Sequence, residues 1–248
     1  MRKRVLVVSL LTILVHYASA QGSIDYKHFV DSADGMSNLY RGTAPLEYRF
    51  IHTGTYYAYS DVFVKGEVKY NDKLYTDIML NLNSHLDELY IYLEESSRQI
   101  LLNKEFVNYF KLGDKKFINL TERVLKDDKT ALKGLSAGYY EIMFENKNVK
   151  LLKRTKKIYA ERINHFASSV TNSKLERMFL PSYTYHLIGE KRGQFVKKYR
   201  DILSFYGVRR KEVNQFVRSR GLDIRENKDI ALTEIVKFIE TSGITQRK

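Results

Sequence analysis

The hydrophobic periodicity of this chain changes once, near residue 195, and that change limits the folds open to it. Before it, apolar and aromatic residues alternate with the period of a strand; after it, they recur with the period of a helix. In the first regime Val62, Val64, Val68 and Tyr70 share a parity, with Gly66 where a bulge would fall. Asn71 and Asp72 follow at the place of a tight hairpin turn, and both residue types tolerate the positive φ such a turn needs. Residues 74–82 return as a strand, and 89–93, 99–102, 106–112 and 116–120 continue a meander. The charged stretch 122–130 reads as a loop. Residues 138–144 and 149–152 form a hairpin around Asn146, Lys147 and Asn148, and 183–188 with 194–196 form another. The polar, small residues of 165–173 read as a connector.

In the second regime Phe195, Tyr199, Ile202 and Tyr206 lie on one helical stripe that Gly207 ends. Val213, Phe216 and Val217 mark a second helix ending at Gly221. Asn227 is placed to cap a third, with Leu232, Ile235, Val236 and Ile239 on its apolar face. Helices this short need a partner surface, and the sheet is the one available. The expected fold is α+β: a mostly antiparallel β-sheet, as a curled sheet or a sandwich, with a small C-terminal helical cap. The expected division is a signal peptide over 1–20, an irregular arm over 21–45, a β-rich region over 46–165, a connector over 166–182, and a hairpin plus packed helices over 183–248.

The first twenty residues carry an export pattern. Arg2, Lys3 and Arg4 precede an apolar run from Val5 to Val15, and Ala18, Ser19 and Ala20 supply small residues for a peptidase cutting before Gln21. The run is about half the roughly 20 residues a membrane-spanning helix needs. With no cysteine in the chain there is no lipobox, disulfide, thiolate metal site or cysteine nucleophile. The expected product is therefore periplasmic or extracellular, not a lipoprotein, and without a transmembrane helix after cleavage. Asp31, Ser32 and Ala33 match a short O-glycosylation acceptor pattern, but three residues match by chance often and the solvated-loop reading is preferred.

Charge supplies the functional signal. Removing the signal leaves 42 − 3 = 39 basic residues against 29 acidic ones, a net charge of +10. Residues 146–163 hold seven basic residues and one acidic one, and residues 191–225 hold eleven and three. These stretches, at +6 and +8, exceed the whole mature charge. Folded together they would make an anion-binding face, with Lys150, Lys153, Arg154, Lys156, Lys157, Arg209, Arg210, Lys211 and Arg218 as its candidate residues. The alternative is a charged surface that only keeps the protein dispersed.

Catalytic patterns are sparse. His28, His52, His85, His165 and His186 show no metal-binding spacing, and no HExxH, P-loop or dinucleotide fingerprint occurs. Gly134, Ser136 and Gly138 have the spacing of a nucleophile elbow but precede a strand rather than a helix. The neighbouring carboxylates Asp87–Glu88, Glu94–Glu95 and Asp127–Asp128 point to opposite faces if they lie in strands, which is not the cross-cleft arrangement of glycoside hydrolysis. Tyrosines in alternating strands also suit an outer-membrane barrel, but lysine and glutamate interrupt both faces and the chain ends on a basic helix. No catalytic residue, metal or cofactor is expected from these patterns.

Several segments resemble a family of secreted proteins from Bacteroidetes: residues 39–42, 63–75, 78–80, 87–89, 138–144, 151–154 and the hairpin from Tyr183 to Val196 with the helices after it. The family pattern has Asn-Gly or Asp-Gly at the first hairpin, where this chain has Asn71 and Asp72. The resemblance implies compartment and fold, and carries no activity.

The expected function is that of an exported, non-enzymatic envelope or secreted protein. Its partners would be an anionic glycan, lipid head groups or an envelope protein, with nucleic acid disfavoured by export. A secreted hydrolase acting on glycans, or a structural component of an envelope assembly, are the alternatives. Expression in a Gram-negative host followed by mass spectrometry tests the first step: the mature chain is expected to begin at Gln21, and a retained Arg2–Ala20 segment would remove the export reading.

Overall fold

The computed structural model describes residues 38–165 and 173–244. The signal segment 1–20, most of the expected arm, His28, the Asp31–Ala33 pattern and residues 166–172 of the expected connector lie outside them. The chain divides into two compact units, residues 1–42 and 43–248. In the first, the described part contains one 3-10 turn, Asn38–Tyr40. Everything below belongs to the second.

Ten strands form one antiparallel sheet: β1 (Val64–Tyr70), β2 (Lys73–Asn83), β3 (Glu88–Leu93), β4 (Arg98–Leu101), β5 (Val107–Leu112), β6 (Lys115–Leu120), β7 (Gly138–Glu145), β8 (Val149–His165), β9 (Ser173–Gly189) and β10 (Gly193–Phe195). Their spatial order is β10-β9-β8-β7-β6-β5-β1-β2-β3-β4, so the sheet is unclosed. The first hairpin turns as its residues require, with Asn71 at φ 49° and Asp72 at φ 62°. The β1–β2 register slips between Gly66 and Glu67, the expected bulge. A Cβ on Gly66 would lie 2.0 Å from the carbonyl oxygen of Lys111 on β5, so only glycine lets β5 pass this close.

The sheet curls back on itself. β8 and β2 are five strand spacings apart in the ladder, about 24 Å if the sheet were flat. Yet the amide of Lys157 donates to Ser84 O at 3.1 Å, and Arg154 on β8 reaches Asp87 in the β2–β3 turn at 3.2 Å. Between them lies an apolar interior. Val68, Leu80, Leu89, Ile91 and Phe110 are all fully buried, and Phe110 stacks on Phe117 with ring centroids 4.8 Å apart and meets Tyr139 edge-on at 5.1 Å.

Among the described residues four α-helices accompany the sheet: α1 (Glu122–Asp127), α2 (Tyr199–Tyr206), α3 (Arg210–Ser219) and α4 (Lys228–Ser242). The last three are the expected cap. Ile202, Leu203 and Phe205 of α2, Val213 of α3, and Leu232, Ile235, Val236 and Ile239 of α4 share one buried cluster with Val149, Leu151, Tyr185 and Leu187 of the sheet. Phe216 of α3 stacks on Phe238 of α4 at 4.0 Å. The fold is thus the expected α+β arrangement with a curled sheet.

Three local expectations change. The stretch 122–130, read as a loop, begins with α1, because Thr121 caps Val124 N through its hydroxyl. The connector expected over 166–182 is strand from Ser173 onward. Seventeen residue pairs hold β8 to β9, and Pro181 is accommodated opposite Lys157, at the proline-tolerant margin beyond the β10 pairing. Residues 46–60, the start of the expected β-rich region, run as an irregular strap. It touches the sheet through isolated bridges, Thr53 to Met178 and Tyr57 to Asn83.

The β2–β3 turn is anchored by a guanidinium in which only Nε lacks a partner. Arg154 donates through Nη1 to Ser136 Oγ at 2.5 Å and through Nη2 to Ala137 O at 2.9 Å, besides Asp87. Asp87 also accepts from the amide of Tyr139 and from Lys104. Replacing one member strands the others in a site with little water. Arg154→Met is expected to lower unfolding free energy by about 3 kcal/mol, read from urea denaturation; an unchanged midpoint would mean that the curl does not depend on this contact.

Candidate functional site

The structure sorts the nine candidate cations into two groups. Those on β8 are largely used internally. Lys150 pairs with Glu145 at 2.5 Å, and that ion pair, assisted by Lys116, holds the Glu145 carboxyl below its usual range. Lys153 is buried against Asp229 and lies 3.8 Å from Glu141. Arg154 is the anchor already described. Lys157 is buried, and loss of solvent pushes its ammonium below the ordinary lysine range, with Asp61 opposing weakly. Lys156, one residue earlier and on the opposite face, is exposed.

Arg209, Arg210, Lys211 and Arg218 form the second group. All four are exposed, on or immediately before α3, and among the described residues none is within 4 Å of a carboxylate. The placement of the first three opposes local electrostatics, whereas Arg218 stands in the last turn, where the helix dipole favours a cation. Helix starts favour acidic side chains and a hydrogen-bonding cap. Here Arg209 occupies the cap position without a side-chain bond, Arg210 and Lys211 follow, and only Glu212 offsets them in the first turn. Along the solvent side of α3, Arg210, Lys211, Asn214, Gln215 and Arg218 line an open groove of about 520 Å³.

The groove has internal order. The Tyr199 hydroxyl of α2 accepts from Arg210 Nε at 2.8 Å and donates to Asn214 Oδ1 at 2.9 Å. The Arg210 guanidinium also sits over the Tyr199 ring, 5.9 Å from its centroid. Two of the groove's side chains are thereby held through one tyrosine on a neighbouring helix.

A second concavity, about 350 Å³, lies where β7 meets α4 and the β5–β6 turn. It is lined by Asp114, Lys115, Glu141, Ile142, Met143, Asp229, Ile230, Thr233 and Glu234. Sequence reasoning missed it. The available signal was Glu141, a lone carboxylate inside the run Tyr139–Phe144. Its two oxygens are both engaged: Tyr59 donates to Oε2 at 2.5 Å and Lys115 to Oε1 at 3.1 Å. Asp229 accepts from Tyr185 at 2.7 Å and from Lys153. Burial first, then the facing carboxylates, push both tyrosine hydroxyls well above their ordinary range, so both remain proton donors. The arrangement is a neutralised network of two carboxylates, two lysines and two tyrosines at the wall of a cavity.

The remaining chemistry is dispersed. Among the described residues no group of three histidine, aspartate or glutamate side chains is placed to hold a metal ion. Among the described residues no helix is long and apolar enough to cross a membrane. His52 and His85 belong to an aromatic cluster with Tyr48, Tyr56 and Phe179. Ser136, the centre of the elbow-like spacing, bonds Arg154. No protein-family model matches the chain, and neither a curated protein nor a solved structure matches it.

His186 is buried between the rings of Tyr140 and Phe195, and its Nδ1 has no hydrogen-bond partner. Burial chiefly, helped by the Arg154 charge, lowers its pKa from 6.5 to about 4. The unfolded chain therefore takes up a proton between these values while the folded chain does not. Stability from the neutral ring is complete above pH 6.5 and declines as pH falls toward 4, by roughly 3 kcal/mol in total. His186→Leu is expected to flatten that part of the stability–pH curve measured by thermal or urea unfolding; an equally steep decline in the variant would assign the acid sensitivity elsewhere.

Proposed function

We propose that this chain is exported and works as a non-enzymatic envelope or secreted protein that binds an anionic partner through the exposed face of α3. One observation carries the reading. Apart from Lys157, the sheet's buried and half-buried cations are matched to carboxylates, whereas Arg209, Lys211 and Arg218 have none and Arg210 meets only a tyrosine. Unmatched cations at the positive end of a helix lower stability and raise the local potential. Their arrangement suits an external anion better than internal packing. The export pattern of residues 2–20 and the resemblance to secreted Bacteroidetes proteins support the compartment.

A second reading, a secreted hydrolase acting on glycans, draws on Glu141 and Asp229 facing one cavity. Such chemistry needs one carboxyl able to donate a proton and one free to attack or activate water. Here lysines and tyrosine hydroxyls already occupy both, which favours the binding reading.

The test is retention of the processed chain on an anionic matrix across a salt series. Wild type is expected to elute late, with retention falling steeply as salt screens the exposed charges. Reversing Arg210, Lys211 and Arg218 to glutamate should bring elution to the void, while Lys150→Glu, on the other group, should shift it little. Equal retention of wild type and triple variant would sink the α3 assignment. Loss of glycan cleavage in Glu141→Gln, with retention intact, would move it to the cavity.

A further inference from the structure

We infer that the α3 groove is built for an acidic polysaccharide, a flexible chain bearing carboxylate or sulfate groups at intervals among free hydroxyls. The inference rests on the anion-binding reading above and names the class of anion. Three features of the groove select among anionic ligands.

The first is its row geometry. Arg210, Asn214 and Arg218 are successive members of one i, i+4 row, with Lys211 and Gln215 beside them. At 1.5 Å rise per residue the two arginines stand about 12 Å apart along the axis. A single phosphate cannot meet both ends of such a row, whereas an extended chain with repeated acid groups can.

The second is the pair of amides between the cations. A carboxamide offers both a donor and an acceptor. Asn214 has its oxygen engaged by Tyr199, which leaves its NH2 as a fixed donor. Gln215 is exposed, with both groups open to a ligand. Sugar hydroxyls donate and accept, so they can satisfy an amide fully. A sheet of phosphodiester oxygens only accepts.

The third is the lack of an anchor. Peripheral helices that bind lipid surfaces lay an apolar face into the bilayer. The apolar residues of α3 are committed inward: Val213 is fully buried, Phe216 stacks on Phe238, and Val217 packs on the helical core. The groove lining also lacks an aromatic side chain on which a nucleobase could stack.

The Tyr199 relay makes the site preorganised. It orients Arg210 and Asn214 before any ligand arrives, so less conformational freedom is lost on binding.

Binding of the processed chain to four probes by isothermal titration calorimetry tests this: a polyuronate oligosaccharide, a sulfated dextran oligosaccharide, phosphatidylglycerol vesicles, and a DNA duplex. Binding to at least one of the two saccharides, tighter than to vesicles and duplex at equal salt, is expected. Asn214→Ala/Gln215→Ala keeps every charge and raises helix propensity, so it should fold and yet weaken saccharide binding at least tenfold. Tyr199→Phe should weaken it several-fold with no change in charge. Binding of vesicles or duplex in preference to both saccharides would overturn the inference and leave the anion-binding reading standing. An unaltered saccharide affinity in the amide double variant would also overturn it. No binding to any of the four would remove both.

Discussion

The contact between Arg154 and Asp87 is the constraint on which the rest of the sheet depends. It joins strands that the ladder places five positions apart, and it does so beside Ser136, Ala137, Tyr139 and Lys104. A ten-stranded antiparallel sheet could twist open and expose both faces. Holding the β2–β3 turn against β7 and β8 gives the inner face something to close on, and the buried Phe110–Phe117–Tyr139 group fills that interior. The price is a buried cation whose Nε has no partner. A hydrophobic substitute could fill the volume, but it could not reach the Ser136 hydroxyl, the Ala137 carbonyl and the Asp87 carboxylate at once. Here the polar contact specifies which elements meet, and the apolar interior supplies most of the free energy.

The same strand shows why basic composition and basic surface are different things. β8 alternates faces, so Lys153 and Arg154 point to opposite sides, and both sides are covered: one by α4 and the strap residue Tyr59, the other by the curl. Lys153 and Arg154 then require carboxylates, and Asp229 and Asp87 supply them. The +6 of residues 146–163 is mostly drawn inward. α3 sits at the periphery with one buried residue and keeps its charge.

This sorting marks the boundary of what was legible beforehand. Local rules carried the hairpin at Asn71 and Asp72, the bulge at Gly66, the apolar stripes of the cap and its left-handed glycine ends at Gly207 and Gly221, because each depends on a few neighbouring residues. The curl was legible only as an alternative to a sandwich, since nothing adjacent to Asp87 names Arg154 as its partner, sixty-seven residues away. The length of β9 was hidden for a related reason. The polar and small residues up to Ser173, with Pro181 further on, resemble a linker until β8 is placed alongside. Among the candidate cations, the helical ones could be read directly as exposed, because three of the four flank one short helix start. The strand ones could not, because burial there is decided by elements arriving from residues 59, 87 and 229. The cavity beside Glu141 was invisible on the same grounds.

A cationic helix start is a local rule broken, and such a break persists where something else compensates. For α3 the compensation to folding is visible: Val213 in the core and Phe216 on Phe238 hold the helix by packing rather than by capping. Its N-terminus is therefore free to carry Arg209, Arg210 and Lys211 without loss of the element. Propensity and dipole would be served better by acidic residues there, and the core would be unaffected by the exchange. The Tyr199 relay adds a second departure from indifference, since an exposed arginine on a surface selected only for dispersal has no need of a neighbouring helix to fix its orientation. Two independent features, unmatched charge and imposed geometry, thus converge on five side chains of one groove. The buried Lys153 of β8, richer in contacts, is explained by the fold it stabilises.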